Sequence, residues 1–284
     1  MPATMMDGTA LAARMRAELK DEVAALGDVG LATVLVGEDP ASQVYIRLKL
    51  KAADQVGIRA IDRRLPEDTS EEEVLDLVNE LNEDDSVDGI LVQTPLPAQI
   101  DEARVMRTID PMKDVDGLHP FNAGQLFFAR QTFVGATPLG IMRLLEEYRI
   151  PVAEKRAVVV GRSHIVGRPA AMLLLHANAT VTICHSRTDD LALHTRDADI
   201  LVVAVGTPHL VTADMVKEGA AVIDVGINRS GDRLIGDVDP AVARVAGFLT
   251  PVPGGVGPMT IAYVLENAAR AARYRRGALV FPRA

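Results

Sequence analysis

The chain has 284 residues, 48% of them hydrophobic and 24% charged, with a formal net charge of −9. That length suits two domains, and the acidic balance argues against a nucleic-acid partner, which would select a basic face. A lone cysteine excludes an intrachain disulfide, and no run approaches the ~18–20 apolar residues that crossing a membrane requires.

Met1 to Gly8 carry neither the basic nor the apolar region of a secretion signal, so a reducing, cytoplasmic setting is expected. The apolar run 31–36, closed by Gly37 and Pro40, predicts a first strand. Ser42 is placed to cap a helix running to about Val56 and ended by Gly57. On that helix Tyr45 and Lys49, four residues apart, share one face, while Lys51 falls on another. A second strand is expected over 59–65 and an amphipathic helix over 70–82, opening with acids after a serine cap. Residues 89–92 form a third apolar run, ended by Gln93 and halted by Thr94-Pro95-Leu96-Pro97. Strands separated by helices imply parallel βαβ pairing, with ligands met at the carboxyl ends of the strands. Residues 110–137, dense in Pro, Gly, Asp and Asn, read as a hinge that contains Lys113-Asp114-Val115-Asp116-Gly117. Thr137 and Pro138 then suit the cap and first position of a helix to about Tyr148.

A second alternation follows, with strands near 156–160, 180–184, 200–204 and 221–225. Its first strand leads through Gly161-Arg162-Ser163-His164-Ile165-Val166-Gly167-Arg168-Pro169. Gly161 permits a tight turn, Gly167 a close backbone approach, and Pro169 suits the first turn of a helix, so that backbone N–H groups and a helix N-terminus meet a phosphate. The motif is not G-x-G-x-x-G; its strand–loop–helix context carries the signal. The next strand ends in His185-Ser186-Arg187-Thr188, where an NAD site usually has Asp or Glu for the ribose hydroxyl. A hydroxyl and a cation there, with Arg162 nearby, favour the 2′-phosphate of NADP; the plain alternative is a solvated turn. Gly226 and Gly236 punctuate a loop, and the segment from Pro251 to Pro258 is too rich in Pro and Gly for regular structure. A closing helix is expected from about Met259 to Ala272, and the cations Arg270, Arg273, Arg275 and Arg276 complement its dipole.

A lysine beside a phenol near a strand end can exchange protons if desolvation lowers its pKa, although a Tyr/Lys pair on a solvated helix face has no such role. Gln93 is placed to orient Lys49, and Asp116 to read the amino and ring N–H donors of a heterocycle. The exposed backbone of 253–258 suits a flat ligand. The six histidines lack metal-ligand spacing, so no metal is expected; His164 reads as a phosphate-loop or surface residue, Cys184 as a small buried one, and His119 is given no chemical role.

Several of these segments resemble, in order and over nearly the whole chain, the bifunctional methylenetetrahydrofolate dehydrogenase/methenyltetrahydrofolate cyclohydrolase family. The matching text is Asp39-Pro40-Ala41-Ser42-Gln43-Val44-Tyr45-Ile46-Arg47-Leu48-Lys49, Asp88-Gly89-Ile90-Leu91-Val92-Gln93, Lys113-Asp114-Val115-Asp116-Gly117, the 161–169 loop, Thr182-Ile183-Cys184-His185-Ser186, Val222-Ile223-Asp224-Val225-Gly226-Ile227-Asn228 and 251–260. The resemblance implies two α/β domains, the second a Rossmann-type parallel sheet, with the active-site cleft between them. Residues 1–120 would form the folate-binding catalytic domain and 121–284 the NADP-binding domain, with the last helix (about 259–273) packing back on the first. It implies that Lys49 carries protons in the cyclohydrolase step, with Tyr45 beside the folate, Gln93 tuning Lys49 and Asp116 holding the pterin. Gly161, Arg162, Ser163, Ser186, Arg187 and Ile227 would contact NADP; Val92, Thr94, Pro253, Gly254, Gly255, Val256, Gly257, Pro258 and Thr260 would line the folate side. The implied reaction oxidises 5,10-methylenetetrahydrofolate with NADP and hydrolyses the methenyl product to 10-formyltetrahydrofolate, in a homodimer. Thr94 replaces the family's leucine and Ala136 its cysteine, and neither removes a proposed catalytic group. Two other readings stay open on the residues: a dehydrogenase for a shikimate-type hydroxy acid, and a silent folate- or nucleotide-binding module.

Overall fold

The computed structural model describes residues 2–130, 132–231 and 233–282. Two units emerge, Ala13–Ala136 with Ile261–Ala284, and Met1–Ala12 with Thr137–Thr260. In chain order the elements begin with β1 (Thr4–Met5) and α1 (Gly8–Leu26), followed by β2 (Val29–Val36), α2 (Pro40–Val56), β3 (Ile58–Leu65), α3 (Glu71–Glu83) and β4 (Gly89–Val92). Short helices α4 (Glu102–Thr108) and α5 (Pro120–Phe127) precede α6 (Ala136–Glu147). Then come β5 (Arg156–Val160), α7 (Gly167–His176), β6 (Thr180–Cys184), α8 (Leu191–Thr195), β7 (Ile200–Val203) and β8 (Ala221–Asp224). A small hairpin of β9 (Asn228–Ser230) and β10 (Arg233–Ile235), the strand β11 (Phe248–Leu249) and the helix α9 (Val256–Arg275) complete the described strands and α-helices.

The unit built on residues 13–136 holds a parallel sheet of order β3-β2-β4. Its central strand is buried at all eight positions, as a strand covered on both faces must be. Val29 and Leu31 join a core made with α1, α2 and α9, through Val23, Ile46, Ala53 and Leu265 among others. Ala32, Val34 and Val36 point the other way, into a core with Val74, Val78 and Leu81 of α3 and Val105 of α4. The cap of α2 lies three residues before the expected Ser42: Asp39 is the cap, accepting from Ser42 N at 2.7 Å, and Pro40 occupies the first turn, where its missing N–H costs nothing. Gly57 closes it in a left-handed conformation, as the sequence predicts. In α3 the expected serine cap is a full capping box between Ser70 and Glu73.

Residues 110–137 are not an open hinge. They contain α5, whose cap is the His119 ring nitrogen accepting from Phe121 N at 3.0 Å, and one compact unit runs through them to Ala136. The first twelve residues group with the second unit because β1 pairs in parallel with β11.

The second unit carries a six-stranded sheet of order β1-β11-β8-β7-β5-β6, parallel at every pairing. From β5 the chain moves outward to β6 and then returns past β5 to β7, so the strand order reverses beside the carboxyl ends of β5 and β7. Open α/β sheets bind their ligands at such a reversal. Thr137 does not cap α6, which begins at Ala136; its hydroxyl shares a 2.8 Å hydrogen bond with that of Thr260. The segment 251–258 is partly regular, since Val256, Gly257 and Pro258 form the first turn of α9. The arginines of α9 do more than answer its dipole. Arg270 donates to Thr132 O at 3.0 Å, and Arg275 to Val87 O at 2.7 Å and to the buried Asp88 carboxylate at 2.9 Å.

Candidate active site

Parallel pairing of β2 with β4 brings Gln93, the residue after β4, alongside Val34, whose carbonyl accepts from Gln93 N at 2.8 Å. The Gln93 amide nitrogen donates to Thr94 O at 2.8 Å, which turns the amide oxygen outward to accept from Lys49 Nζ at 3.1 Å. Lys49 is only 6% exposed. Burial pulls its pKa below the usual lysine value, and the Asp116 carboxylate partly opposes that pull. Asp116 responds in the mirror sense: burial raises its pKa and the Lys49 charge partly restrains the rise. Both shifts run toward neutral partners, because removing each charge from water costs more than their mutual attraction returns. A lysine so placed can release and regain a proton nearer neutrality than a solvated one. Tyr45 lies one turn earlier on α2, half-buried, and burial raises its phenol pKa. Lys51 is exposed, as its position on another face requires.

Asp116 is brought to Lys49 by the segment 113–115, which runs beside β4: Ile90 N donates to Lys113 O at 2.7 Å, and Ile90 forms a parallel bridge with Asp114. Of the other residues expected on the folate side in this unit, Thr94 is half-buried, whereas the Val92 side chain belongs to the core, leaving only its backbone to meet a ligand.

The second constellation lies in the sheet of six. Gly161 follows β5 with φ +125, and a Cβ on it would lie 2.3 Å from Ala204 O, just after β7. Only glycine fits this approach at the strand-order reversal. Ser163 Oγ accepts from Val166 N at 3.1 Å and Gly167 N at 3.3 Å, so it braces the start of α7 and keeps its own hydrogen to donate. Arg162, Ser163, Ser186 and Arg187 are all exposed around this loop and the end of β6, and Ile227 is 42% exposed. Of the expected folate-side residues here, Pro253 is exposed, Gly254, Gly257, Pro258 and Thr260 are partly covered, and Gly255 and Val256 are buried. Thr9 N donates to Gly254 O at 3.0 Å and so fixes the 251–255 turn. Cys184 is buried, as expected of a small strand-end residue.

Two buried carboxylates of this unit were given no role from the sequence. Asp224 accepts from Gly226 N at 3.1 Å, Asp237 N at 2.9 Å and Val238 N at 3.0 Å. Asp237 accepts from Val205 N at 2.7 Å, Gly206 N at 2.9 Å and the Asn228 amide at 2.9 Å. Burial, against these hydrogen bonds, pushes Asp224 up to about 6. Gly226 and Gly236 were the trace they left: a Cβ at the first would lie 2.2 Å from Asp237 Oδ1, and at the second 1.7 Å from Asp224 Oδ2. Among the described residues no group of three His, Cys, Asp or Glu side chains is arranged to hold a metal ion. No helix among them is long and apolar enough to cross a membrane.

Comparison with known proteins identifies two family domains in the chain. Residues 6–116 match the model for the tetrahydrofolate dehydrogenase/cyclohydrolase catalytic domain, and 135–276 that for the NAD(P)-binding domain of the same family. The bifunctional protein FolD of Campylobacter curvus is 56% identical over 277 residues, covering 95% of this chain and 96% of its own. The crystal structure of the bifunctional enzyme FolD, a methylenetetrahydrofolate dehydrogenase/cyclohydrolase from Campylobacter jejuni, superposes with a TM-score of 0.94 at 48% identity, covering 96% and 99% of the two chains. That of the Trypanosoma brucei dehydrogenase-cyclohydrolase, complexed with NADP and an inhibitor, has a TM-score of 0.94 at 40% identity, covering 98% and 99%.

Proposed function

Because the chain belongs to the tetrahydrofolate dehydrogenase/cyclohydrolase family, we propose that it oxidises 5,10-methylenetetrahydrofolate with NADP and hydrolyses the 5,10-methenyl product to 10-formyltetrahydrofolate. The observation that carries this reading is the buried Lys49, hydrogen-bonded to Gln93 and coupled to Asp116.

The residues around the 161–167 loop fit NADP. Gly161 lets the loop close against the Ala204 backbone at the strand-order reversal, backbone N–H groups lead into α7, and Ser186 and Arg187 stand where a carboxylate would repel a 2′-phosphate. When bound, NADP supplies the acceptor for the hydride lost from the substrate. Gly161, Ser163 and Ile227 would place its dinucleotide, and Arg162, Ser186 and Arg187 would grip its phosphate with cations and a hydroxyl. The methylene carbon lies between two nitrogens whose lone pairs stabilise the cation left behind, so the chain provides positioning rather than a base for this step.

Hydrolysis of the methenyl bridge does need proton movement. Water oxygen bonds to the bridging carbon and releases one proton to solvent; as the bond from that carbon to N5 breaks and the formyl C=O forms, the hydroxyl gives up its second proton and N5 takes up one. Lys49 Nζ is the group that accepts and returns it, held by the Gln93 amide oxygen, while Asp116 binds the pterin N–H donors and Tyr45 covers the folate beside it. In the first unit Val92 and Thr94 are assigned to the folate, and in the second so is the 253–260 segment (Pro253, Gly254, Gly255, Val256, Gly257, Pro258 and Thr260). Tyr45, Gln93 and the 253–258 loop favour this reading over a hydroxy-acid dehydrogenase, and the complete set of reactive side chains favours it over a silent binding module. A cytoplasmic homodimer without a nucleic-acid partner completes the proposal, supported by the resemblance and the acidic charge; light scattering at twice the chain mass tests the dimer.

The central test is NADPH absorbance with methylenetetrahydrofolate as substrate, followed by hydrolysis of methenyltetrahydrofolate by wild type and Lys49→Met. Wild type turns over both, and the variant loses hydrolysis. Full hydrolytic turnover by Lys49→Met would refute the role given to the lysine.

A further inference from the structure

We infer that Asn267 and Asp114 are positioning residues for Asp116, gripping its loop from two sides so that its carboxylate stays against Lys49. This rests on the reading of Lys49 and Asp116 as the proton-carrying pair. Asn267 lies on α9 amid Leu265, Ala268, Ala269, Ala271 and Ala272 of the core and is only 2% exposed. An amide in such surroundings is tolerated only if its hydrogens are used. Here Nδ2 donates to Val115 O at 2.7 Å and to Val134 O at 3.0 Å. Val115 is the residue directly before Asp116, so the amide holds the loop one peptide from the carboxylate.

Asp114 holds it from the other side. Its carboxylate is 1% exposed and accepts from Leu118 N at 3.2 Å, His119 N at 2.8 Å and the Asn122 amide at 2.8 Å. Asn122 is fixed in turn by donating to Pro111 O at 3.0 Å and accepting from Thr132 Oγ1 at 2.5 Å. Lys113 anchors the start of the loop by donating to Leu81 O, Asn82 O and Asp84 O at 2.9, 2.7 and 2.9 Å. Every residue from 113 to 115 is therefore tied to a different part of the unit, and Asp116 is the member whose charge is directed at Lys49.

Releasing the loop has a consequence that plain destabilisation lacks. The titratable groups around the lysine are Tyr45 on its own helix and Asp116 on the loop, with Asp114 next along that loop and charge-coupled to Asp116. If Asp116 retreats, Lys49 loses a charge that supports its protonated form and its pKa falls further. A base that works unprotonated then remains active at lower pH, while each turnover suffers from the displaced geometry.

The experiment compares full-length wild type, Asn267→Leu, Asn267→Ser and Asp114→Asn in hydrolysis of methenyltetrahydrofolate across pH, with circular dichroism to confirm folding. Expected are a loss of kcat/KM of about tenfold or more and an acid limb moved down by about one pH unit, with Asn267→Ser, which keeps one donor, lying between wild type and Asn267→Leu. If Asn267→Leu does not fold, the other two variants carry the comparison. Folded variants with an unmoved acid limb and near-normal kcat/KM overturn the positioning role alone. A wild type inactive on both folates overturns the proposed function, and this inference with it.

Discussion

Replacing Asp237 by alanine separates the two halves of the proposed chemistry. Its carboxylate is fully buried and accepts from Val205 N and Gly206 N, after β7, and from the Asn228 amide, after β8. Those two strand ends carry the loops in which Ile227 and the Gly161–Ala204 approach lie. A hydrogen bond to a charged acceptor contributes about 1.5–3 kcal/mol. Gly206 is exposed, so water can replace one bond, and removing the charge also relieves its repulsion of Asp224. A net loss of about 2–4 kcal/mol follows, which lowers the melting temperature by roughly 5–15 °C at the 2–4 °C per kcal/mol typical of a domain this size. The KM for NADP should rise about tenfold, as two loops lose their shared anchor, whereas hydrolysis of methenyltetrahydrofolate, which consumes no NADP, should continue. Thermal melts and the two assays on one preparation decide it. A melting temperature within about 2 °C of wild type, well under the expected loss, together with an unchanged KM for NADP, would show that the carboxylate does not hold these loops.

Two further outcomes concern charge. Asp114 and Asp224 are both raised from 3.8 to about 6, so the fold binds more protons than the unfolded chain between those values. The stabilisation is fully present below about pH 4 and is lost as pH rises through about 6, each group accounting for about 3 kcal/mol (about 6 less 3.8, at 1.36 kcal/mol per unit). Urea midpoints of Asp114→Asn and Asp224→Asn should therefore change less between pH 4 and 6 than those of wild type, and parallel curves would contradict the assigned cause. Arg187→Ala should raise the KM for NADP by about tenfold or more, the value of one charge-assisted hydrogen bond, and leave the KM for NAD nearly unchanged. An unaltered ratio between the cofactors would remove Arg187 from the phosphate site.

Strands were legible where burial on both faces leaves a continuous apolar run, as in β2, β5 and β7, and their ends came within a residue or two. What escaped were elements whose order depends on distant partners. The two-residue strands β1 and β11 are too short to show a period and exist because they pair with each other. In α1 the buried side chains are a thin stripe, Leu11, Ala12, Leu19 and Val23, among charged and small residues, so its apolar signal is weak. The composition of 110–137 spelled a hinge, yet Asn122 and Thr132 bond inside it and Asp114 closes the network. Proline and glycine counted as breakers while side chain–backbone bonds did the ordering.

The proposed site divides along the same line. Tyr45 and Lys49 share a helix face by spacing alone, but Gln93 and Asp116, 44 and 67 positions from Lys49, are joined to them by the chemistry their types suit and by family resemblance, not by spacing. Lys49, Arg162, Ser186 and Arg187 are conspicuous because their chemistry suits a substrate or a phosphate. Asp114, Asp224, Asp237 and Asn267 are not, since their partners are mostly peptide groups, which are the same whatever the sequence. Their signature is physical instead: a buried polar side chain whose donors or acceptors are used on loops that carry a proposed functional residue. Where such a side chain lies within one or two residues of a charged group, as Asn267 lies against Val115, its removal should move the chemistry of that group before it unfolds the domain, because a loop shifts at lower cost than a core opens.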